Sequence, residues 1–257
     1  MEIDINFNFK SDTPPGKDPD SFSPTLRKYH TYLWSKKLPG GAMFSLTQTP
    51  PHYILHRSEL GEFSLSSDTV FPTFIRYKRL SNLINQLSRD ELDSFHHIRY
   101  TIGGMMIFPS NRINGKNTIN GERGFNSKIR DRFDLTLECI RRYYYHENSP
   151  LYETFARYSD FFALFENFQG YIDYFFLQDL VSKDYARINF FTKFDNFRSN
   201  ILPSTVEGYQ SYRQHSISFI QKRNNRIKTH LENLRVNTIL SRELLQGTTN
   251  GTPERTK

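Results

Sequence analysis

Three carboxylates follow one another at helical spacing in the middle of the chain. Asp131, Asp134 and Glu138 lie within "IRDRFDLTLECIRRYYYH". On a helix, this spacing places all three side chains on one face over three turns. A hard divalent cation requires convergent oxygen ligands, and a bound metal can activate water against a phosphodiester. The alternative is a solvated face on which Asp134 and Glu138 pair with Arg141 and Arg142.

A second candidate site pairs an arginine with a histidine. Arg141 and His146 are separated by four residues, which resembles the Arg–His motif that a class of metal-independent ribonucleases pairs across a dimer. A histidine can move a proton to or from a ribose 2′-hydroxyl, while arginine stabilises the charge that develops on the phosphate. A looser form of the pattern runs from Arg223 to His230, so a motif this short also arises by chance.

The loop before the carboxylates is dense in hydrogen-bond donors. It reads "SNRINGKNTINGERGFN" and leads into a helix whose N-terminal amides attract anions. Loops this long inside compact domains are uncommon unless functional, although Asn and Gly also suit the turns of a plain connection. The sequence contains neither a Walker A motif nor a G-x-G-x-x-G fingerprint. The predicted phosphate or nucleotide ligands are Asn111, Arg112, Asn114, Lys116, Asn120, Arg123 and Asn126.

The elements that position these residues begin with short strands and one helix. "EIDINFNF" alternates polar and apolar residues with period two, which predicts a half-buried strand. "SPTLRKYHTYLWSKKLPGG" has a Ser cap, a Pro at the first helical position and a Gly stop, which predicts a short helix. "AMFSLTQTPPHYILHRSELGEFSLSSD" predicts three strands of an antiparallel sheet, and "GGMMIFPS" predicts a buried strand.

Helical periodicity dominates the rest of the chain. It begins at "RLSNLINQLSRDELDSFHHI" and predicts later helices over residues 125–146, 150–166, 168–182 and 205–235. The predicted fold class is therefore α+β, with a small antiparallel β-sheet in the N-terminal half and a mainly α-helical C-terminal half. A single domain is predicted over residues 1–246. Residues 247–257 lack apolar anchors and are predicted to form a disordered tail.

Apolar residues at helical spacing supply the predicted core of the C-terminal half. Cys139 falls inside a predicted helix and is expected to be at least partly buried, and His30 is expected to be a structural or surface histidine. The predicted core positions are Tyr152, Phe155, Tyr158, Phe162 and Phe165 in one run and Ile217, Ile220, Ile227, Leu231 and Leu234 in the last helix.

Composition limits the class of protein and of partner. The 34 Lys and Arg residues exceed the 27 Asp and Glu residues, and the net charge of +7 favours polyanionic partners such as nucleic acid. One cysteine excludes an intrachain disulfide and a multi-cysteine zinc site, which fits a reducing compartment. The sequence shows no signal peptide and no apolar run long enough to span a membrane, so we expect a cytoplasmic protein without a membrane partner.

Four segments together resemble a bacterial protein family of unknown function. They are "SPTLRKYHTYLWSK", "TIGGMMIFPSNRINGKNTINGERGFNSKIRDRFDLTLECIRRYY", "DFFALFENFQGYIDYFFLQDLV" and "FIQKRNNRI". The resemblance covers nearly the whole chain. It implies a bacterial or phage origin and a single-domain unit, and it carries no activity.

Three functions follow as hypotheses. The first is a protein that binds or cleaves nucleic acid, RNA in particular, as a toxin or phage-defence effector. Its chemistry would come either from Arg141 and His146 or from the three carboxylates with a divalent metal. The second is an enzyme or sensor for a nucleotide or small phosphorylated ligand at the same loop. The third is a module whose polar helix docks a protein partner.

Overall fold

The computed structural model describes residues 2–49, 53–198 and 201–247. Antiparallel strands are concentrated in the N-terminal half and helices form most of the C-terminal half, which confirms the predicted α+β class. The predicted disordered tail, from residue 248 onward, lies outside the described residues.

The second helix, α2, forms where its capping residues predict it. It spans Pro24–Trp34, after the single turn of α1 at Pro19–Phe22. The hydroxyl of Ser23 accepts a hydrogen bond from the backbone N–H of Leu26 at 3.1 Å, and a proline occupies the first turn. The helix ends before the predicted Gly stop, because the following residues pair as a strand. Gly41, with a φ of +87°, lies in the turn of that hairpin.

The described strands form two antiparallel sheets. The first sheet pairs β1 with β2, and the second has the order β3-β4-β5-β6, which confirms the predicted sheet and the predicted buried strand. Along β5, Phe63 and Leu65 are buried, whereas Ser64, Ser66 and Asp68 keep partial exposure on the other face. The strand bounds are β1 Lys36–Lys37, β2 Met43–Phe44, β3 Thr47–Thr49, β4 Tyr53–Ser58, β5 Gly61–Thr69 and β6 Met105–Pro109.

The predicted strand at the N-terminus is wrong. Residues 2–8 are irregular, with a turn at Ile5 and Asn6, and a 3-10 helix follows at Phe9–Asp12. The side chain of Asp4 accepts the backbone N–H of Asn6 at 2.9 Å, and the side chain of Asn8 accepts that of Lys10 at 2.9 Å. These short polar side chains bond to the backbone locally, so the alternation of polar and apolar residues does not produce a strand.

The later helices are shorter than predicted, except the last. The predicted helix over 125–146 begins only at Phe133, because Arg130 and Asp131 have φ values of +51° and +62°. The predicted helix over 150–166 divides into two. The helix bounds are α3 Ser81–Ile84, α4 Arg89–Ile98, α5 Ile119–Phe125, α6 Phe133–Tyr144, α7 Tyr152–Ala156, α8 Ser159–Ala163, α9 Phe168–Tyr174 and α10 Val206–Gly247.

Trp34 lies where α2, α9 and α10 meet in the core. Its indole N–H donates to Nδ1 of His30 at 2.9 Å, so Nε2 of that histidine carries the proton and donates to Ser67 at 2.9 Å. Burial lowers the pKa of His30 to about 3. The guanidinium of Arg223 lies 5.7 Å from the indole, and the Phe175 ring lies 5.1 Å away. His30 is therefore a buried structural residue, as predicted.

Most of the predicted core positions are buried. Phe155, Phe162 and Phe165 are 0% exposed, and Ile220 and Ile227 are equally inaccessible on α10. Tyr158 and Leu231 are also buried, whereas Tyr152 and Ile217 are partly exposed and Leu234 is 45% exposed. Among the described residues, no helix has the length and apolarity needed to cross a bilayer.

Candidate functional site

The donor-rich loop between β6 and α5 is held in place by the helices beside it. The backbone N–H of Lys116 bonds to the carbonyl of Ile113 at 3.1 Å, and Asn114 and Gly115 between them have φ values of +53° and +71°. Asn and Gly are the residues that favour such a turn. Tyr158 also donates to the carbonyl of Asn111 at 2.8 Å.

Four of the predicted ligands project from this loop into solvent. Asn111, Arg112, Asn114 and Lys116 are exposed, and the side chains of Arg112 and Lys116 form no hydrogen bond or ion pair with a described residue. Their charges are available to an external anion. The side chains of the two remaining asparagines form hydrogen bonds within the protein. Asn120 donates to Ser66 at 3.5 Å, and Asn126 accepts the backbone N–H of Lys128 at 2.9 Å.

The structure corrects the assignment of Arg123 as a phosphate ligand. Its side chain is 0% exposed and forms an ion pair with Asp68 at 2.5 Å. It also donates to the hydroxyl of Thr136 at 2.9 Å and to the carbonyl of Asp131 at 3.0 Å. All of its bonding groups therefore point into the protein. Arg123 links β5, α5 and α6, and an external phosphate cannot reach it.

The three carboxylates predicted to converge on a metal point to three different partners. Asp134 is 0% exposed and lies between the guanidinium of Arg132 and the backbone N–H of Phe191, at 3.0 Å from the latter. Asp131 lies before the helix begins and pairs with Arg76 at 2.8 Å. In the parts of the chain that the structure describes, no group of three His, Cys, Asp or Glu side chains is arranged to hold a metal ion.

Glu138 pairs with both arginines that follow it on α6. Its oxygens accept from Arg141 at 2.9 Å and from Arg142 at 2.7 Å, as the alternative interpretation predicted for this residue. The predicted pairing of Asp134 with these arginines and the predicted solvated face are wrong, because Asp134 pairs with Arg132 and both carboxylates are buried. Arg141 also contacts Glu147 at 3.2 Å, so two carboxylates already neutralise its guanidinium. His146 lies exposed beyond the end of the helix, with a φ of +56°. In the second Arg–His match, Arg223 is 0% exposed, so its guanidinium is not accessible to an external phosphate.

A basic surface that the motif search missed lies at the other end of α5. The ring of Tyr77 lies close to two guanidinium groups, with the central carbon of Arg76 at 5.5 Å and that of Arg130 at 5.4 Å from its centre. Phe125, the last residue of α5, is 77% exposed. We define the basic surface as residues 75–79 and 125–130, which contain five cationic residues and no carboxylate. The sequence signal for this basic surface was the aromatic residue among cationic residues in "IRYKR".

Cys139 is buried, as predicted. The thiol lies inside α6 with 0% exposure, and burial raises its pKa to about 12. A thiol that is both inaccessible and protonated does not act as a nucleophile. Cys139 therefore belongs to the core.

Asp20 and Asp68 form an acidic pair beneath Arg123. Burial raises the pKa of Asp20 well above its usual range, and the charge of Asp68 raises it further. The backbone N–H of Thr69 donates to one oxygen of Asp20 at 3.2 Å, whereas Oδ1 has no partner among the described residues. An acid with a raised pKa binds more protons when folded than when unfolded. Its contribution to stability is present at low pH and is lost as the pH rises through the folded pKa.

We expect Asp20→Asn to stabilise the protein increasingly as the pH rises from about 4 to 8, because asparagine stays neutral where the buried carboxylate must ionise. Each unit by which the pKa is raised corresponds to about 1.4 kcal/mol. Thermal unfolding of the variant and of the wild type, compared across this range, measures the difference. Glu59→Gln, at an exposed acid in the turn between β4 and β5, is the control. A gain that does not change with pH would contradict the raised pKa.

A comparison with family models identifies one match. A family of unknown function, DUF6994, matches residues 3–227, which is nearly the whole chain. Searches of curated proteins and of solved structures gave no match.

Proposed function

The chain belongs to the DUF6994 family of unknown function, and from its own surface we propose that it binds single-stranded nucleic acid, with RNA as the preferred form. The observation that carries this proposal is the contact of the Tyr77 ring with the guanidinium groups of Arg76 and Arg130, together with the exposed ring of Phe125 at the end of α5. Single-stranded nucleic acid binds to surfaces that combine aromatic rings, on which bases stack, with cations that contact the backbone.

The cations of this surface are only partly neutralised. Among its five, Arg76 pairs with Asp131, while Lys128 donates to the carbonyl of Arg198 at 3.0 Å and so keeps its full charge. The side chain of Lys78 is exposed and forms no hydrogen bond or ion pair with a described residue. Phosphate groups would therefore find uncompensated positive charge on this surface.

The donor-rich loop extends the same surface. α5 contains seven residues and joins the loop to Phe125, so the two are separated by about 10 Å along the helix axis. Arg112 and Lys116 at its start and Lys128 and Arg130 after its end would contact phosphates of one strand. This arrangement keeps the predicted role of Arg112 and Lys116 and replaces Arg123 with cations that are accessible.

Binding, and not cleavage, is the function proposed. Arg141 is neutralised by Glu138 and Glu147, so it is not free to stabilise a phosphate in the transition state. The three carboxylates predicted to hold a metal, Asp131, Asp134 and Glu138, each form an ion pair with an arginine. The surface around Phe125 is where a strand would bind.

The test is a salt series of binding to an unstructured RNA of about 20 nucleotides, such as oligouridine, between about 50 and 200 mM salt. We expect the double variant Lys78→Ala with Lys128→Ala to flatten the plot of log affinity against log salt by about 1.4, because each lost phosphate contact removes about 0.7 on a single strand. We expect Phe125→Ala to weaken binding by about 1–3 kcal/mol without changing the slope, because stacking carries no charge.

Two variants serve as matched controls. Lys28→Ala with Lys37→Ala removes two exposed cations from another part of the chain, and Tyr145→Ala removes another exposed aromatic ring. If these controls weaken binding as much as the surface variants, the attraction is a general effect of the net charge and the proposed surface is wrong. Absence of RNA binding by the wild type at low salt would end the proposal.

A further inference from the structure

A groove of about 760 Å³ runs between α4 and α10, away from the residues of the basic surface. The two helices face each other across it, and Thr101 and Asn224 lie at its base. The N-terminal residues Ile5 and Asn6 also line it. Its volume falls in the range typical of small-molecule sites.

Carboxamides line the groove at helical spacing. Gln214, Gln221 and Asn225 are seven and four residues apart on α10, so they share one face of that helix. Asn224 is already satisfied, because it accepts from the backbone of Gly103 at 2.7 Å and donates to Thr101 at 2.9 Å. The side-chain amides of Gln214, Gln221 and Asn225 form no hydrogen bond with a described residue, so each can offer one donor and one acceptor to a ligand.

One end of the groove is closed by a buried arginine. Arg213 is 8% exposed and pairs with Glu91, donating to its carboxylate at 2.5 Å and to its backbone carbonyl at 2.8 Å. Its Nε has no hydrogen-bond partner among the described residues. Glu91 neutralises the guanidinium, so Arg213 presents no unpaired charge to the groove.

Aliphatic side chains line the groove from both helices. Ile98 belongs to α4 and Ile217 to α10, and both are partly exposed. Two aliphatic side chains on opposite walls can pack against the two faces of a flat ring, while carboxamides bond to its edge. Asn and Gln form bidentate pairs with the N6 and N7 atoms of adenine, which present one donor and one acceptor side by side.

We propose that the groove between α4 and α10 binds a purine nucleoside, with Gln214 and Gln221 recognising the edge of the base and Ile98 and Ile217 packing on its faces. Because Arg213 is paired with Glu91 and the ring of His97 contacts Asn8, the groove recognises the base and not the phosphates. Adenosine, AMP and ATP therefore bind with similar affinity.

Isothermal titration calorimetry with adenosine, AMP, ATP and uridine tests this proposal. We expect the three adenine compounds to agree within about threefold at any salt concentration, and uridine to bind about tenfold more weakly, because its single six-membered ring covers less of Ile98 and Ile217 than a purine does. Replacing Gln214 and Gln221 together with alanine should weaken adenosine binding by about tenfold or more, since two hydrogen bonds are lost. Asn233→Ala, an exposed carboxamide on α10 outside the groove, should leave it unchanged.

A second variant tests the groove by filling it. Ile217→Trp should abolish adenosine binding, and its thermal unfolding midpoint shows whether the fold is kept. Three results would overturn the proposal: no binding of adenosine by the wild type, equal binding of adenosine and uridine, or an affinity that rises steeply with the number of phosphates. Because adenosine is uncharged, these results are independent of whether RNA binds to the basic surface.

Discussion

Replacing Arg123 with alanine lowers the free energy of unfolding by about 3–5 kcal/mol, because it leaves the mostly buried carboxylate of Asp68 without its cation. The side chain is 0% exposed, and its donors also satisfy Thr136 and the carbonyl of Asp131. Urea unfolding followed by circular dichroism measures the loss. Arg112→Ala, at an exposed arginine of the neighbouring loop, should change stability by no more than about 0.5 kcal/mol.

A double-mutant cycle separates the ion pair from the packing of the side chain. If the 2.5 Å contact carries the effect, Arg123→Ala combined with Asp68→Ala should cost less than the sum of the two single changes. Strict additivity would mean that the two side chains do not interact. If Arg123→Ala alone changes the free energy of unfolding only slightly, Arg123 is a surface residue and not a buried link between elements.

Replacing Arg223 with alanine has a comparably large expected effect. The guanidinium is 0% exposed and pairs with no carboxylate among the described residues. It donates to the carbonyls of Phe175 at 3.0 Å, Gly103 at 3.1 Å and Met105 at 2.8 Å, and burial lowers its pKa to about 9. Alanine would leave three carbonyls unsatisfied and a cavity behind, so we expect a loss of about 3–5 kcal/mol in the free energy of unfolding.

Methionine at the same position distinguishes the two causes. Arg223→Met fills most of the volume and removes the buried charge, so it should cost less than Arg223→Ala if the cavity dominates. If the unsatisfied carbonyls dominate, the two variants should be equally unstable. Lys222→Ala, at the adjacent exposed cation, is the control and should be nearly neutral. An Arg223→Ala variant as stable as this control would contradict the role assigned to the guanidinium.

The α+β class, the sheet and the aromatic core could be predicted because each depends on local periodicity and on turn residues. β5 and β6 read as strands from their flanking turns, and Ser23 with Pro24 marked the start of α2. The first segment was predicted wrongly because the side chains of Asp4 and Asn8 bond to backbone N–H groups two residues further along the chain. These bonds compete with strand pairing but do not alter the pattern of apolar residues from which a strand was predicted.

The candidate site could be predicted only in part, because burial of a charge depends on partners far away in sequence. Arg123 and Arg112 have similar neighbours in the sequence, so both were predicted to bind phosphate. Arg123 is buried instead, because it pairs with Asp68, which lies 55 residues before it. The spacing of Asp131 and Asp134 predicted one shared face, whereas two residues with positive φ place Asp131 outside the helix. The basic surface joins residues 75–79 to residues 125–130, and such a juxtaposition is visible only in three dimensions.

The burial of Trp34 gives the protein an internal optical reporter. It is the chain's sole tryptophan, and its indole is 0% exposed, with its N–H bonded to His30 and with the Arg223 guanidinium 5.7 Å away. Fluorescence of this one chromophore therefore reports whether the N-terminal helix α2 and the C-terminal helix α10 remain packed together. If the emission and the far-ultraviolet dichroism change at the same urea concentration, the sheet and the helices unfold as one cooperative unit. Every variant described above except Ile217→Trp can be read with this signal, because none of the other substitutions adds or removes an indole.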